Sequence, residues 1–99
     1  MTKSEMAQRL NGANAYVPGK RVKLDFGDEG VVMLDGVANA VTEEDGAADT
    51  TLKVAWSDWE DMAAGKLDGM TAFMTGKLKV EGDMGNAMQL QGVLAKLRG

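Results

Sequence analysis

The 99-residue chain contains neither histidine nor cysteine, and this settles much of its chemistry before any spacing is considered. Without an imidazole there is no Ser-His-Asp triad, no histidine acid–base step and no ordinary zinc site. Without a thiol there is no disulfide, no thiolate nucleophile and no cysteine-bound metal. The stretch Gly69 to Lys77 has the outline of a phosphate loop, but six residues separate Gly69 from Gly76 where four are needed. Leu78 also stands where the motif requires serine or threonine. Gly82-Asp83-Met84-Gly85 follows a strand pattern and opens a helix pattern, yet its spacing is not that of a dinucleotide loop. The acidic group Glu43, Glu44, Asp45 and Asp49 fails as a calcium loop, because alignment on Asp45-Gly46 puts Val41 and Leu52 at ligand positions. It is expected to be a solvated hairpin turn. Fifteen Asp and Glu residues remain, and nothing in their spacing selects a pair for acid–base work. The expectation is a chain that is not an enzyme and holds no cofactor or metal.

What remains is apolar. There are eight methionines, and Met62, Met70, Met74, Met84 and Met88 each lie on the apolar side of an expected helix. Methionine is unbranched and polarisable, so it fills cores and also lines surfaces that repack around varied apolar partners. Near the C-terminus, Met84, Ala87, Met88, Leu90, Val93, Leu94 and Leu97 share one arc of a helical wheel. Gln91 falls inside that arc, where a buried amide needs a partner from the sheet, from water or from the polar end of a ligand. Trp56 and Trp59 flank a strand-to-helix corner, a place that suits either a cavity mouth or plain core packing.

These residues need elements to position them. Thr2 and Glu5 have capping-box spacing ahead of Met6, Ala7 and Leu10, which predicts a short first helix ended by Gly12. From Lys20 the apolar period changes to two. Val22, Leu24 and Phe26 form one strand face, Gly27 to Gly30 a turn, Val31 to Asp35 a second strand, and Val37 to Thr42 a weaker third. Thr50 to Trp56 alternates as a fourth strand. Ser57 to Glu60 forms a second capping box before a helix carrying Trp59, Met62 and Ala63. Asp68 caps a short helix with Met70, Phe73 and Met74 at i, i+3 and i+4, with Phe73 expected to anchor it on the sheet. Lys77 to Glu81 is a fifth strand, and Asp83 opens a last helix reaching about Leu97. Alternating strands imply one wet and one covered sheet face, an α+β arrangement with helices over a mainly antiparallel sheet.

The length fits one domain spanning residues 1–99, with 44% hydrophobic and 26% charged residues as in an ordinary globular protein. A net charge of −4 argues against nucleic acid and leaves at most transient membrane contact. Met1 to Leu10 lacks the apolar run of a signal peptide or membrane span, so a cytoplasmic location is expected.

The segment Ala72 to Leu90, AFMTGKLKVEGDMGNAMQL, strongly resembles the signature of the sterol carrier protein-2 (sterol-binding domain) family. Ala72-Phe73, Gly76-Lys77-Leu78-Lys79, Gly82, Met84, Ala87 and Leu90 carry the likeness, and Ala48 to Leu52, Asp58 and Gly65-Lys66-Leu67 extend it upstream. The resemblance implies a five-stranded, mostly antiparallel sheet with helices over one face. It further implies an apolar tunnel that takes fatty acids, fatty acyl-CoA or sterol-like lipids, for transfer and not turnover. The expected lipid-binding residues are Leu24, Phe26, Leu34, Val54 and Trp56 on the strands, faced by Met62, Met70, Phe73, Met74, Met84, Met88 and Leu94, with Gln91 as the polar contact. The family's N-terminal helix is reduced here to about Met1 to Leu10, which leaves the tunnel open at one end or sealed by a second copy, a homodimer. The alternative function is an interaction or dimerisation module docking onto lipid-metabolising enzymes, its cavity filled by its own side chains.

Overall fold

The computed structural model describes residues 2–86, 88, 89 and 92. Helix α1 (Lys3–Gly12) opens with the expected reciprocal cap: the Thr2 hydroxyl accepts from the Glu5 N–H at 3.1 Å, and the Glu5 carboxylate accepts from the Thr2 N–H at 3.2 Å. Met6, Ala7 and Leu10 turn inward from it. Strands β1 (Arg21–Asp25), β2 (Val31–Asp35), β3 (Ala40–Thr42), β4 (Thr50–Val54) and β5 (Leu78–Gly82) form one sheet in the order β3-β2-β1-β4-β5. Helices α2 (Trp56–Ala63) and α3 (Gly69–Met74) lie between β4 and β5 in the chain. Residues 84–86, 88, 89 and 92 are helical, and the rest of the expected last helix, to about Leu97, lies outside the described residues.

The pairing is antiparallel except for β1 beside β4. Register brings Val22 opposite Leu34, Leu24 opposite Val32 and Leu52, and Val54 opposite Leu78, so the alternate apolar residues share one face. Met6, Leu10, Trp59, Met62 and Ala72 cover that face and complete the core. The mostly antiparallel sheet under helices is therefore the architecture that the alternation predicts.

Three elements differ from expectation. The third strand begins at Ala40 and not at Val37, because the Asp35 carboxylate accepts the N–H groups of both Val37 and Ala38 at 2.9 Å, and Asn39 is left-handed. That side-chain turn holds the backbone out of the ladder. The fourth strand stops at Val54, and α2 begins at Trp56 behind Ala55, so the Ser57 capping box is not used. The acidic segment is not a hairpin turn either. β3 and β4 lie on opposite sides of β1 and β2, and both run parallel to β1, so residues 43–49 must cross the sheet. They cross on the outer face, where Lys23 meets Asp45 at 2.7 Å and Met33 is buried. Glu43 contacts Ser4 at 3.1 Å and Lys3 at 3.7 Å, and Asp49 accepts from the Arg21 N–H at 2.9 Å.

Candidate functional site

The expected site residues fall into two groups. Leu24, Phe26, Leu34, Val54 and Met62 are buried together in the core under α1 and α2. Phe26 meets the half-buried Trp56 edge to face, with centroids 5.0 Å apart and an interplanar angle of 82°, and lies 5.8 Å from Trp59. Such rings attract beyond their burial, so this corner is rigid packing. Trp59 is fully buried, and its Nε1 has no hydrogen-bond partner among the described residues. Its burial follows from its spacing with Met62 and Ala63 on one side of α2. The unpaired N–H is a feature that no spacing reveals.

The second group faces outward. Met70 is 47% exposed, Phe73 41%, Met74 78%, Met84 45% and Met88 65%. Phe73 therefore does not anchor α3 on the sheet. Ala72 does, and it is fully buried. The cause is proximity: the Lys77 N–H donates to the Ala72 carbonyl at 2.9 Å and β5 begins at the next residue, so α3 sits too close to the edge strand for a larger side chain. With about 100° per residue, Met70 and Met74 then lie on the side of α3 opposite Ala72, with Phe73 on its flank. The Asp68 carboxylate caps this helix, accepting from the Met70 and Thr71 N–H groups at 3.1 and 3.3 Å.

Met84 and Met88 are placed from the other end of β5. Thr50 lies on the inner face and is buried. Its hydroxyl donates to the Asp83 carbonyl at 2.8 Å and accepts from the Asn86 amide at 3.1 Å. This fixes the start of the C-terminal helical segment on the same face as α3. Two methionine-bearing segments thus leave the two ends of one edge strand on the covered side of the sheet. Gln91 and Leu94 lie outside the described residues.

The clefts lined by described residues lie elsewhere. One of about 520 Å³ separates α1 from α2 and has polar walls that include Arg9, Ser57, Glu60 and Asp61. Another of about 350 Å³, at the C-terminal ends of β1 and β4, joins Phe26 and Val54 to Asp25, Lys53, Lys77 and Lys79. Lys53 is held by Glu81 at 2.9 Å. The hydrogen bond and charge of Glu81, with a smaller contribution from Asp25, raise its pKa above the usual lysine value. No three acidic side chains among the described residues converge as a metal site would require.

Residues 2–95 match the SCP-2 sterol transfer family. The chain belongs to that family. This SCP-2 domain is 42% identical over 57 residues to sterol carrier protein 2 of Bos taurus, covering 58% of the chain and 10% of that protein. It is 42% identical over 50 residues to hydroxysteroid dehydrogenase-like protein 2 of Xenopus laevis, covering 50% of the chain and 12% of that protein. The chain thus spans about a tenth of the length of these relatives. The fold of the SCP-2 domain is shared with the solution structure of Aedes aegypti sterol carrier protein-2 in complex with palmitate, with a TM-score of 0.71 and 23% identity over 94% of this chain and 90% of that one. The likeness read from Ala72 to Leu90 therefore identifies both the family and the fold.

Proposed function

We propose that the chain reversibly binds one long-chain lipid, such as a fatty acid, its CoA ester or a sterol-like molecule, and transfers it without altering it. The observation that carries this reading is the exposure of Met70, Phe73, Met74, Met84 and Met88 on segments that share the covered side of the sheet. A domain this small gains most from burying its large apolar side chains, and contiguous exposed apolar surface marks a binding site. Methionine suits a ligand whose length and shape vary. The mosquito relative solved with palmitate supports the ligand class.

Each buried methylene contributes about 0.8 kcal/mol, so a long acyl chain gives on the order of 10 kcal/mol gross. Losses of roughly 4–15 kcal/mol on association reduce this to an affinity that permits release, as a carrier requires. The reading includes a cytoplasmic location and no catalytic step.

Titration with palmitate tests it. Native mass spectrometry of freshly purified protein is expected to show a monomer with bound lipid, and Met74→Asp with Met88→Asp is expected to weaken palmitate binding at least about tenfold, since each charge faces an acyl chain. Both side chains are exposed, so the double variant is expected to fold. Unchanged affinity in that variant would sink the pocket assignment. A lipid-free dimer that takes up no fatty acid would favour the interaction module.

A further inference from the structure

The two edges of the sheet are finished differently. Helix α1 packs alongside β3, and the Asn11 side-chain oxygen accepts the Val41 N–H at 3.1 Å. At the other edge, Leu78–Gly82 make no backbone hydrogen bond among the described residues outside their pairing with β4. An open edge offers its alternate N–H and C=O groups to any further strand, and an outward lysine commonly guards it. Lys79 stands where such a guard would. It is exposed, has no ion-pair partner among the described residues, and lies directly opposite Lys53 in the register. Glu81, two residues on, removes that guard for one partner only, a second copy of the same strand. In Lys77-Leu78-Lys79-Val80-Glu81-Gly82-Asp83 the charges change sign about Val80.

We infer that the lipid-free chain dimerises by antiparallel pairing of β5 with β5 of a second copy, about a two-fold axis at Val80. This register sets Lys79 against the partner's Glu81 and Lys77 against the partner's Asp83, each pair occurring twice by symmetry. Registers that keep both inner faces on one side differ by two residues. The neighbouring two, centred on Lys79 or on Glu81, place like charges face to face, so only the Val80 register is complementary. Apolar surface favours the same contact. Val80 points to the covered face opposite Leu52 yet is only half-buried, so the helices do not cover the sheet as far as this edge. Antiparallel pairing lays the α3 end of one β5 beside the C-terminal end of the other. Phe73 and Met74 of one copy then lie on the side of Met84 and Met88 of its partner, all four exposed in the single chain. The same side chains cover the acyl chain in the lipid-bound monomer, so lipid and partner compete for them. That competition rests on the proposed lipid binding, whereas the strand pairing does not.

Sedimentation velocity of the full chain, stripped of lipid and run from micromolar to near-millimolar concentration, tests the inference. A reversible dimer is expected, and saturating palmitate is expected to return it to monomer. Lys79→Glu and Glu81→Lys are each expected to weaken dimerisation at least about tenfold, because both copies then meet like charges. An equimolar mixture of the two variants is expected to recover a dimer, which also shows that both fold. Directly opposite residues of an antiparallel pair lie about 4.5–5.5 Å apart at Cα, within disulfide reach. Because the chain has no cysteine, Val80→Cys is expected to cross-link under mild oxidation, and Val37→Cys, exposed at the β2–β3 turn, is not. A stripped chain that stays monomeric, a mixture that fails to recover the dimer, or equal cross-linking at positions 37 and 80 would overturn the inference. So would a dimer that persists with palmitate bound. Palmitate uptake by a monomer that never pairs ends the inference alone, whereas an edge-paired dimer with no uptake ends the lipid reading and leaves the pairing standing.

Discussion

Thr50 joins the sheet to the C-terminal helical segment through one hydroxyl. It donates to the Asp83 carbonyl and accepts from the buried Asn86 amide, whose own side chain is 3% exposed. Replacement by valine preserves shape and removes both bonds, leaving a buried amide unpaired. Thr50→Val is expected to lower unfolding stability by about 1–3 kcal/mol, and Thr50→Ser by less because the hydroxyl survives. Urea titration of the two variants measures the difference. Gly82 is constrained on the opposite strand of the same pair. Its φ is +95°, and a Cβ there would overlap the Asp49 carbonyl oxygen, a backbone atom that cannot rotate away. Gly82→Ala is expected to cost at least about 2 kcal/mol through the left-handed backbone and the clash together. A thermal melt that matched the parent would show that β5 and Asp83 can separate from Asp49 without loss.

The crossover of residues 43–49 is held to the outer face by charge, and this gives it a pH response. Hydrogen bonding from Lys23 first, then from the Gly46 N–H, with the Lys23 charge, keeps the Asp45 carboxyl below the usual aspartate value. The Ala38 N–H, with the Val37 N–H and Arg21, lowers Asp35, and the Thr2 backbone N–H with its hydroxyl lowers Glu5. A carboxyl whose folded pKa is depressed contributes stability that is present above its unfolded value and lost as pH falls through the folded one. The melting temperature is therefore expected to hold at neutral pH and to fall on acidification through the carboxylate range. Asp45→Asn is expected to shallow that acid limb, and melts of both proteins across the range measure it. Much of this level is legible in the sequence: the Thr2 and Asp68 caps, the five strands in order and the alternation that selects the inner face. The crossover is not, because Glu43 to Gly46 has the composition of a hairpin turn and only the placement of β4 beside β1 distinguishes the two. The third strand reads too long for a related reason, since nothing local shows that the Asp35 carboxylate wins the next two N–H groups from the ladder. At the site, the large residues of α3 have core spacing, and only the short step from Ala72 to β5 decides that alanine faces the sheet.

At the scale of the whole molecule, the methionines among the described residues divide into two populations, and that division tests the site without any substitution. Met6, Met33 and Met62 are at most 5% exposed, whereas Met70, Met74, Met84 and Met88 are at least 45% exposed. Oxidation to the sulfoxide needs access to the sulfur, so brief treatment with peroxide is expected to modify the second set well before the first. If the acyl chain of a ligand lies against the second set, saturating palmitate is expected to slow oxidation of those four together and leave the first three unchanged. Binding to the folded state alone also stabilises it, by about 2.7 kcal/mol at a hundredfold excess over Kd, which raises the melting temperature by about 10 °C or more in a domain of this size. Peptide mass spectrometry and a melt on the same samples read the two effects. Protection without stabilisation would indicate loose surface adsorption. Stabilisation without protection would place the ligand in one of the polar-walled clefts, away from α3 and the C-terminal helical segment. Both effects together require the lipid to complete the apolar layer, and for that the two methionine-bearing segments must move or close over it, while the Phe26, Trp56 and Trp59 corner stays as packed as before.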